Sequence, residues 1–279
     1  MKLTKPIIIT GMHRSGTTLL VKLLEKNGVF LGSIQDINKE SIFFQRINRW
    51  LVSFNDSYWD NPMTFKDLNN DDSDLLVLKL RKTLNNRFSN SMFFGYKNIL
   101  SNKNFNNYPN LWGWKDPINT FTIDIWKKIF PDLSIININR NPLDVSCSLI
   151  NRQKKLRIKD NSKINNFINS FIPLLSVNKG SIYSSFNLNT IDDCLILYKK
   201  YYEQISMNNK SNIKQLNINF ENLVNNPEHE ILKIYNFCEI SNYNLDEDSR
   251  LINRNILNKY KDCDLIYNEE LLKSISYEY

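Results

Sequence analysis

The chain has 279 residues, 42% of them hydrophobic and 23% charged, with a formal net charge of +7. That length fits one large domain with a buried core, and no run approaches the roughly eighteen apolar residues of a membrane span. The positive balance would suit an anionic partner, yet the sequence has no alanine and is crowded with Asn, Lys and Ile. Such a drift enriches Lys without any role in binding. Basic residues interleaved with stacking aromatics are missing too, so no nucleic-acid partner is expected. Four cysteines, Cys147, Cys194, Cys238 and Cys263, are far apart and form no C-x-x-C pair. Buried free thiols are expected, rather than disulfides or a zinc site. The apolar run after Pro6 is too short for a signal peptide, so a cytoplasmic location is expected.

Ile7 to Thr10 read as a short buried strand, Gly11 to Gly16 as a tight loop, and Thr17 to Lys26 as a helix with Leu19, Leu20, Leu23 and Leu24 on one face. A strand that turns through glycines into a helix N-terminus is an anion site, because backbone N–H groups and the helix dipole point into the loop. Arg14 adds a full positive charge there. The Gly11-x4-Gly16 spacing is that of a P-loop, but Thr17 stands where G-x-x-x-x-G-K-[ST] has its lysine. The loop therefore suits a phosphate group other than that of ordinary ATP or GTP chemistry.

Glu40 opens a second amphipathic helix in which Ile42 or Phe43, Ile47, Trp50 and Leu51 recur at helical spacing. On local grounds Glu40 reads equally well as a dipole-favoured helix-start acid. Residues 55–110 are polar, with a helix predicted over 73–87, and are expected to cap the substrate side. Trp112 to Lys115 read as a strand stopped by Pro117. Lys115 lies at its end, where open α/β sheets collect ligands, although a solvated strand-end lysine is the plain alternative. A helix follows over 118–130. Asp132 to Arg140 form a clear strand, and Asn141-Pro142 starts a helix that carries Ser148. Arg140 and Ser148 can then meet one anion. Residues 157–190 are expected to be a second cap loop, with a helical piece near 163–172. A helix over 192–207, a strand over 213–220 and a helix over 227–237 complete an α/β fold. Its expected form is P-loop-like and three-layered, with a mostly parallel sheet in a single domain over 1–279.

These motifs resemble the sulfotransferases that use 3′-phosphoadenosine 5′-phosphosulfate, of the group related to carbohydrate and tyrosylprotein enzymes. Gly11 to Thr18 (G-M-H-R-S-G-T-T) is similar to the family's 5′-phosphosulfate loop. Arg140 to Ser148 (R-N-P-L-D-V-S-C-S) is similar to its 3′-phosphate motif, R-x-P-x-D-x-x-x-S. Trp114 to Pro117 resembles its K-D-P block, and Leu216 to Glu228 its late Y-E-D-L-x-x-x-P-E segment. The resemblance implies that Gly11, His13, Arg14, Ser15, Gly16, Thr17, Thr18, Arg140 and Ser148 bind the phosphosulfate donor. It also implies that Arg14 and Lys115 stabilise the transferring group and that Glu40 is the base. The implied reaction moves a sulfuryl group to a hydroxyl or amine of a small-molecule or saccharide acceptor, without a metal.

Some relatives use a histidine base, but here His13 lies in the donor loop and His229 in a late helix. Two departures stand out: Ile118 occupies a position where many relatives carry Arg, and the late R-K-G nucleotide motif is missing, with Arg250 or Arg254 as possible substitutes. The alternatives are a P-loop kinase or NTPase, which needs a loop lysine and a strand-end acid for Mg²⁺, and a non-catalytic nucleotide-binding protein of the same fold.

Overall fold

A computed structural model describes residues 5–54, 56–62, 70–99, 104–164, 184–210, 212–263 and 265–277. The chain divides into two compact units, Met1–Arg140 with Lys200–Leu257, and Asn141–Lys199 with Asn258–Tyr279.

The first unit is built on four parallel strands, β1 (Ile7–Thr10), β2 (Gly113–Lys115), β3 (Ser134–Asn139) and β4 (Lys214–Asn219), in the order β2-β1-β3-β4. Strand residues alternate between faces, and both faces are covered. Ile8, Trp114 and Ile135 join one core with Phe44, Leu51, Leu80, Phe93 and Trp126. Ile7, Ile9, Ile136, Ile138 and Ile218 join the other, with Leu20, Leu24, Phe220 and Ile234. A strand buried on both sides needs an unbroken apolar run, which is why Ile7 to Ile9 carry no polar residue. The first layer comes from α2 (Ile42–Ser53), α3 (Asn70–Asn85), α4 (Arg87–Phe94) and α5 (Asn119–Ile129), the second from α1 (Thr17–Lys26), a short helix (Phe220–Asn225) and a longer one (Pro227–Cys238). The result is the expected three-layer α/β arrangement.

Four local differences have physical reasons. Glu40 lies before α2, not in its first turn, because Ser41 is the N-cap residue and Glu40 belongs to a turn closed by Asp36. Residues 87–94 form a helix where a loop is expected, because Asn86 caps it by accepting from the amides of Phe88 and Ser89. Much of 76–108 is core, with Leu76, Leu84, Phe94 and Phe105 all buried. Ile118 is likewise core, so no anion contact arises there.

In the second unit Asn141 and Pro142 start α6 (Pro142–Ile164) as the sequence predicts; the Asn141 side-chain oxygen Oδ1 accepts from the amides of Leu143 and Asp144. The helix continues past 157, where a loop is expected, through strong helix formers such as Lys154, Lys155 and Arg157. The piece expected over 163–172 lies almost wholly outside the described residues. Asp144 gathers the amides of Asn258 and Tyr260 onto this helix. Cys147 is joined to Cys263 as a disulfide across 116 residues. That corrects the expectation of four free thiols, since sequence spacing does not report which turns a carboxylate draws together. Cys194 and Cys238 are buried and free as expected. A later helix, Ile191–Asn209, opens on a reciprocal cap in which Thr190 donates its amide to the Asp193 carboxylate and accepts the Asp193 amide at its hydroxyl.

Candidate functional site

The loops at the carboxyl ends of the strands carry the polar chemistry of the first unit, as an open parallel sheet requires. After β1 the chain turns at Gly11, with φ at 132°, where a Cβ would stand 2.4 Å from the Ile138 carbonyl oxygen. It enters α1 at Gly16, with φ at 100°, where a Cβ would stand 2.4 Å from the Phe220 ring. Both conformations exclude a side chain. No side chain caps the N-terminus of α1, and its first turn holds no acid. The Ser15 hydroxyl is fully buried with no hydrogen-bond partner among the described residues. A helix start with neither cap nor acid, beside an orphaned buried hydroxyl, fits a bound phosphate or sulfate group.

Arg14 stands exposed in the same loop. Partial desolvation and the like charge of Arg140 push its pKa down. Two guanidinium groups that feel each other in this way are stabilised by an anion shared between them. Arg140 follows β3 directly. It donates to the Ile256 carbonyl oxygen at 2.7 Å and lies 4.6 Å from the centre of the Phe220 ring. One aromatic ring thus touches both motifs, with Gly16 against it and Arg140 over it. Ile256 ends the turn Arg254–Ile256, and its carbonyl holds Arg140. Arg250 and Arg254 are exposed. Ser148 is half-buried on α6 in the second unit.

Glu40 and Lys115 form an ion pair at 2.8 Å, with side chains only 6% and 3% exposed. The solvated strand-end lysine is thereby excluded. The Lys115 ammonium also donates to the Asn38 carbonyl oxygen at 3.2 Å, which in turn accepts from the Thr18 hydroxyl at 3.0 Å. Thr18 therefore spends its hydroxyl proton on the turn before α2 as well as standing at the donor helix. Gln45 donates to the second Glu40 oxygen at 2.7 Å. A carboxylate has about four lone-pair sites, so Glu40 keeps acceptor capacity.

Behind this pair Asp116 is fully buried, accepting from Asn48 at 2.9 Å and from the Ile118 amide at 3.0 Å. Burial, then the Glu40 charge, push its pKa up to about 7. Asn48 in turn accepts from Thr122 and Trp126 and donates to Asn119. Such a satisfied buried network locks the strand-end geometry around Lys115.

The loop residue His13 packs edge-on against Trp59 at 4.9 Å and Tyr201 at 6.2 Å. Tyr201 donates to the Trp59 carbonyl oxygen at 3.1 Å, and Phe121 packs on it at 4.8 Å. Burial, then the charges of Asp116, Glu40 and Asp60, push the Tyr201 hydroxyl well above its ordinary pKa. Aromatic and acidic side chains thus adjoin the donor loop on the Glu40 side. Trp59, Tyr201, Gln45 and Phe220 carry no motif that sequence reasoning could have used, although Phe220 lies inside the late segment and Asp116 inside the K-D-P block.

The fold is that of a P-loop-like α/β protein, with Arg14 after β1 and Arg140 after β3, the two central strands of its sheet. The sequence profile of the sulfotransferase family matches residues 6–244, and the chain belongs to that family. Among solved structures it resembles the sulfotransferase domain from the Synechococcus PCC 7002 olefin synthase, at 13% identity and a TM-score of 0.52, over 100% of this chain and 96% of that one. It resembles equally the sulfotransferase domain from the curacin biosynthetic pathway, at 14% identity and a TM-score of 0.53, over 100% and 99%. At such identities the likeness shows the shared fold. No curated protein sequence matches the chain. No helix among the described residues is long and apolar enough to cross a membrane, and no metal-binding group of His, Cys, Asp or Glu occurs among them.

Proposed function

We propose that the protein transfers a sulfuryl group from 3′-phosphoadenosine 5′-phosphosulfate to a hydroxyl or amine, with a saccharide as the first acceptor to try. The observation that carries the donor is the meeting of the glycine loop and Arg140 on Phe220. Two anion subsites on one sheet edge suit a nucleotide with phosphates at both ends of its ribose. The loop amides, Ser15, Thr17 and Arg14 would hold the 5′-phosphosulfate, and Arg140 the 3′-phosphate; Ser148 is assigned to that phosphate by its motif alone.

Sulfuryl transfer needs positioning, charge stabilisation and a base more than covalent help. The acceptor oxygen forms a bond to sulfur as the bond from sulfur to the phosphate oxygen breaks. The acceptor proton passes to Glu40, and the charge left on the departing bisphosphate is balanced by Arg14 and Lys115. Titration with adenosine 3′,5′-bisphosphate and with adenosine 5′-phosphate tests the donor. Arg140→Ala should weaken the first by roughly ten- to a hundredfold, the worth of a charge-assisted phosphate contact, and leave the second nearly unchanged. Failure of the wild-type protein to bind the bisphosphate would overturn the reading.

A further inference from the structure

We infer that Asp36 is a positioning residue for the transfer, setting Glu40 and Lys115 in register with the donor helix. The inference rests on the reading of Glu40 and Lys115 given under Proposed function. Asp36 lies outside every motif of the donor site, yet the hydrogen bonds of the turn 36–40 converge on it. One carboxylate oxygen accepts from the amide of Asn38 at 2.9 Å and from the amide of Glu40 at 2.8 Å. The other accepts from the Asn38 side chain at 3.2 Å. Its backbone amide donates to the Glu40 carbonyl at 2.9 Å, and its own carbonyl accepts from Lys39 at 3.0 Å.

The turn so closed forces Lys39 into left-handed backbone, with φ at 65°, which a lysine disfavours. Compensating bonds must hold it. What the turn presents is specific. The Asn38 carbonyl faces outward to two donors, the Thr18 hydroxyl on α1 and the Lys115 ammonium at the end of β2. Two residues on, the Glu40 carboxylate meets the same ammonium. Asp36 closes the turn as such residues do, by accepting from amides a few positions on. Here one oxygen fixes the residue that orients Lys115 and the residue that pairs with it, and through Thr18 it ties both to the helix that follows the glycine loop.

The hydrogen-bond pattern separates three variants. D36N keeps a carbonyl oxygen for both amides, D36A removes it, and D36E keeps the charge but sets the oxygen one methylene too far. The first readout is amine acetylation of Lys115, followed by mass spectrometry, with thiol labelling of buried Cys238 as the control for global opening. Lys115 should lose its protection in D36A and D36E and keep it in D36N, with Cys238 protected in all three. The second readout is cleavage of the phosphosulfate donor with water as acceptor, beside bisphosphate affinity. Cleavage should fall by about a hundredfold in D36A, the usual effect of misplacing a catalytic group by an ångström, with bisphosphate affinity within about twofold. D36N should rescue it.

Should D36A fail to fold, D36E carries the test. Lys115 equally protected in every variant overturns the inference, as does D36E with wild-type cleavage. Wild-type protein that neither binds the bisphosphate nor cleaves the donor overturns the proposed function itself. Wild-type protein that does both, while the Asp36 variants match it, overturns this inference alone.

Discussion

Replacing Glu40 by Gln separates base catalysis from structural support, because the ion pair makes Glu40 costly to lose on both counts. The Lys115 ammonium has two oxygen acceptors, Glu40 at 2.8 Å and Asn38 at 3.2 Å. A glutamine in place of Glu40 keeps one carbonyl oxygen for the ammonium but loses the charge. The bond from the ammonium stays charge-assisted, so only the counter-charge is lost, and the change costs less than removing a partner outright. Outright removal of one partner of a buried pair, as in Glu40→Ala, costs about 3–5 kcal/mol. The Gln variant should therefore fold and melt a few degrees below wild type.

Its chemistry should suffer far more, because an amide cannot take the acceptor's proton. Turnover should fall by about two to four orders of magnitude, the usual worth of a general base. Bisphosphate affinity should stay within about twofold, since binding uses the loop and Arg140. The assay measures labelled sulfuryl transfer to water and to the best acceptor of a saccharide panel, beside a melting curve and a bisphosphate titration. A folded Gln variant with near-normal turnover would end the assignment of Glu40 as base and leave it a structural partner of Lys115.

Phe220→Leu should lower bisphosphate affinity by about three- to thirtyfold, the worth of roughly 0.5–2 kcal/mol of cation–π contact, and spare adenosine 5′-phosphate; equal loss for both nucleotides would show that the ring does not seat Arg140. Gly16→Ala should cost about 1–3 kcal/mol through overpacking on Phe220 and weaken both nucleotides, measured by denaturant melts and titration; an unchanged variant would refute the close approach. Asp248 accepts from Tyr235 at 2.6 Å and Asn27 at 2.9 Å and forms an ion pair with Lys26 at 2.9 Å. Burial alone would raise its pKa, but these bonds outweigh it and hold the carboxyl below its ordinary range. With a depressed folded pKa, its stabilisation is present above pH of about 4 and lost as pH falls through the folded value. Asp248→Asn should therefore cost about 2 kcal/mol at pH 7 and converge with wild type as pH falls through the lowered Asp248 pKa; a difference independent of pH would refute the charge argument.

Much of this protein was settled locally. The apolar run Ile7–Ile9, the glycines at 11 and 16, Asn141-Pro142 and the helical spacing of the leucines each act over a few residues, so strand, loop and helix are legible from order alone. The two anion motifs are legible for the same reason: a glycine loop before a helix binds phosphate by its own backbone. Tertiary structure decided what lies across strands and turns. Nothing near Glu40 in sequence reveals Lys115, which arrives from β2, 75 residues later. Nothing near Arg140 reveals Phe220 or Ile256. Asp36 has no motif, and its importance arises because one oxygen reaches two amides of a turn. The pairing of Cys147 with Cys263 likewise depends on Asp144 drawing a distant turn to its helix. Packing of β1 beside β2 and β3 is what turns separate signals into one site. A buried ion pair, a shared aromatic seat and a raised Asp116 pKa exist only once those strands stand side by side and exclude water.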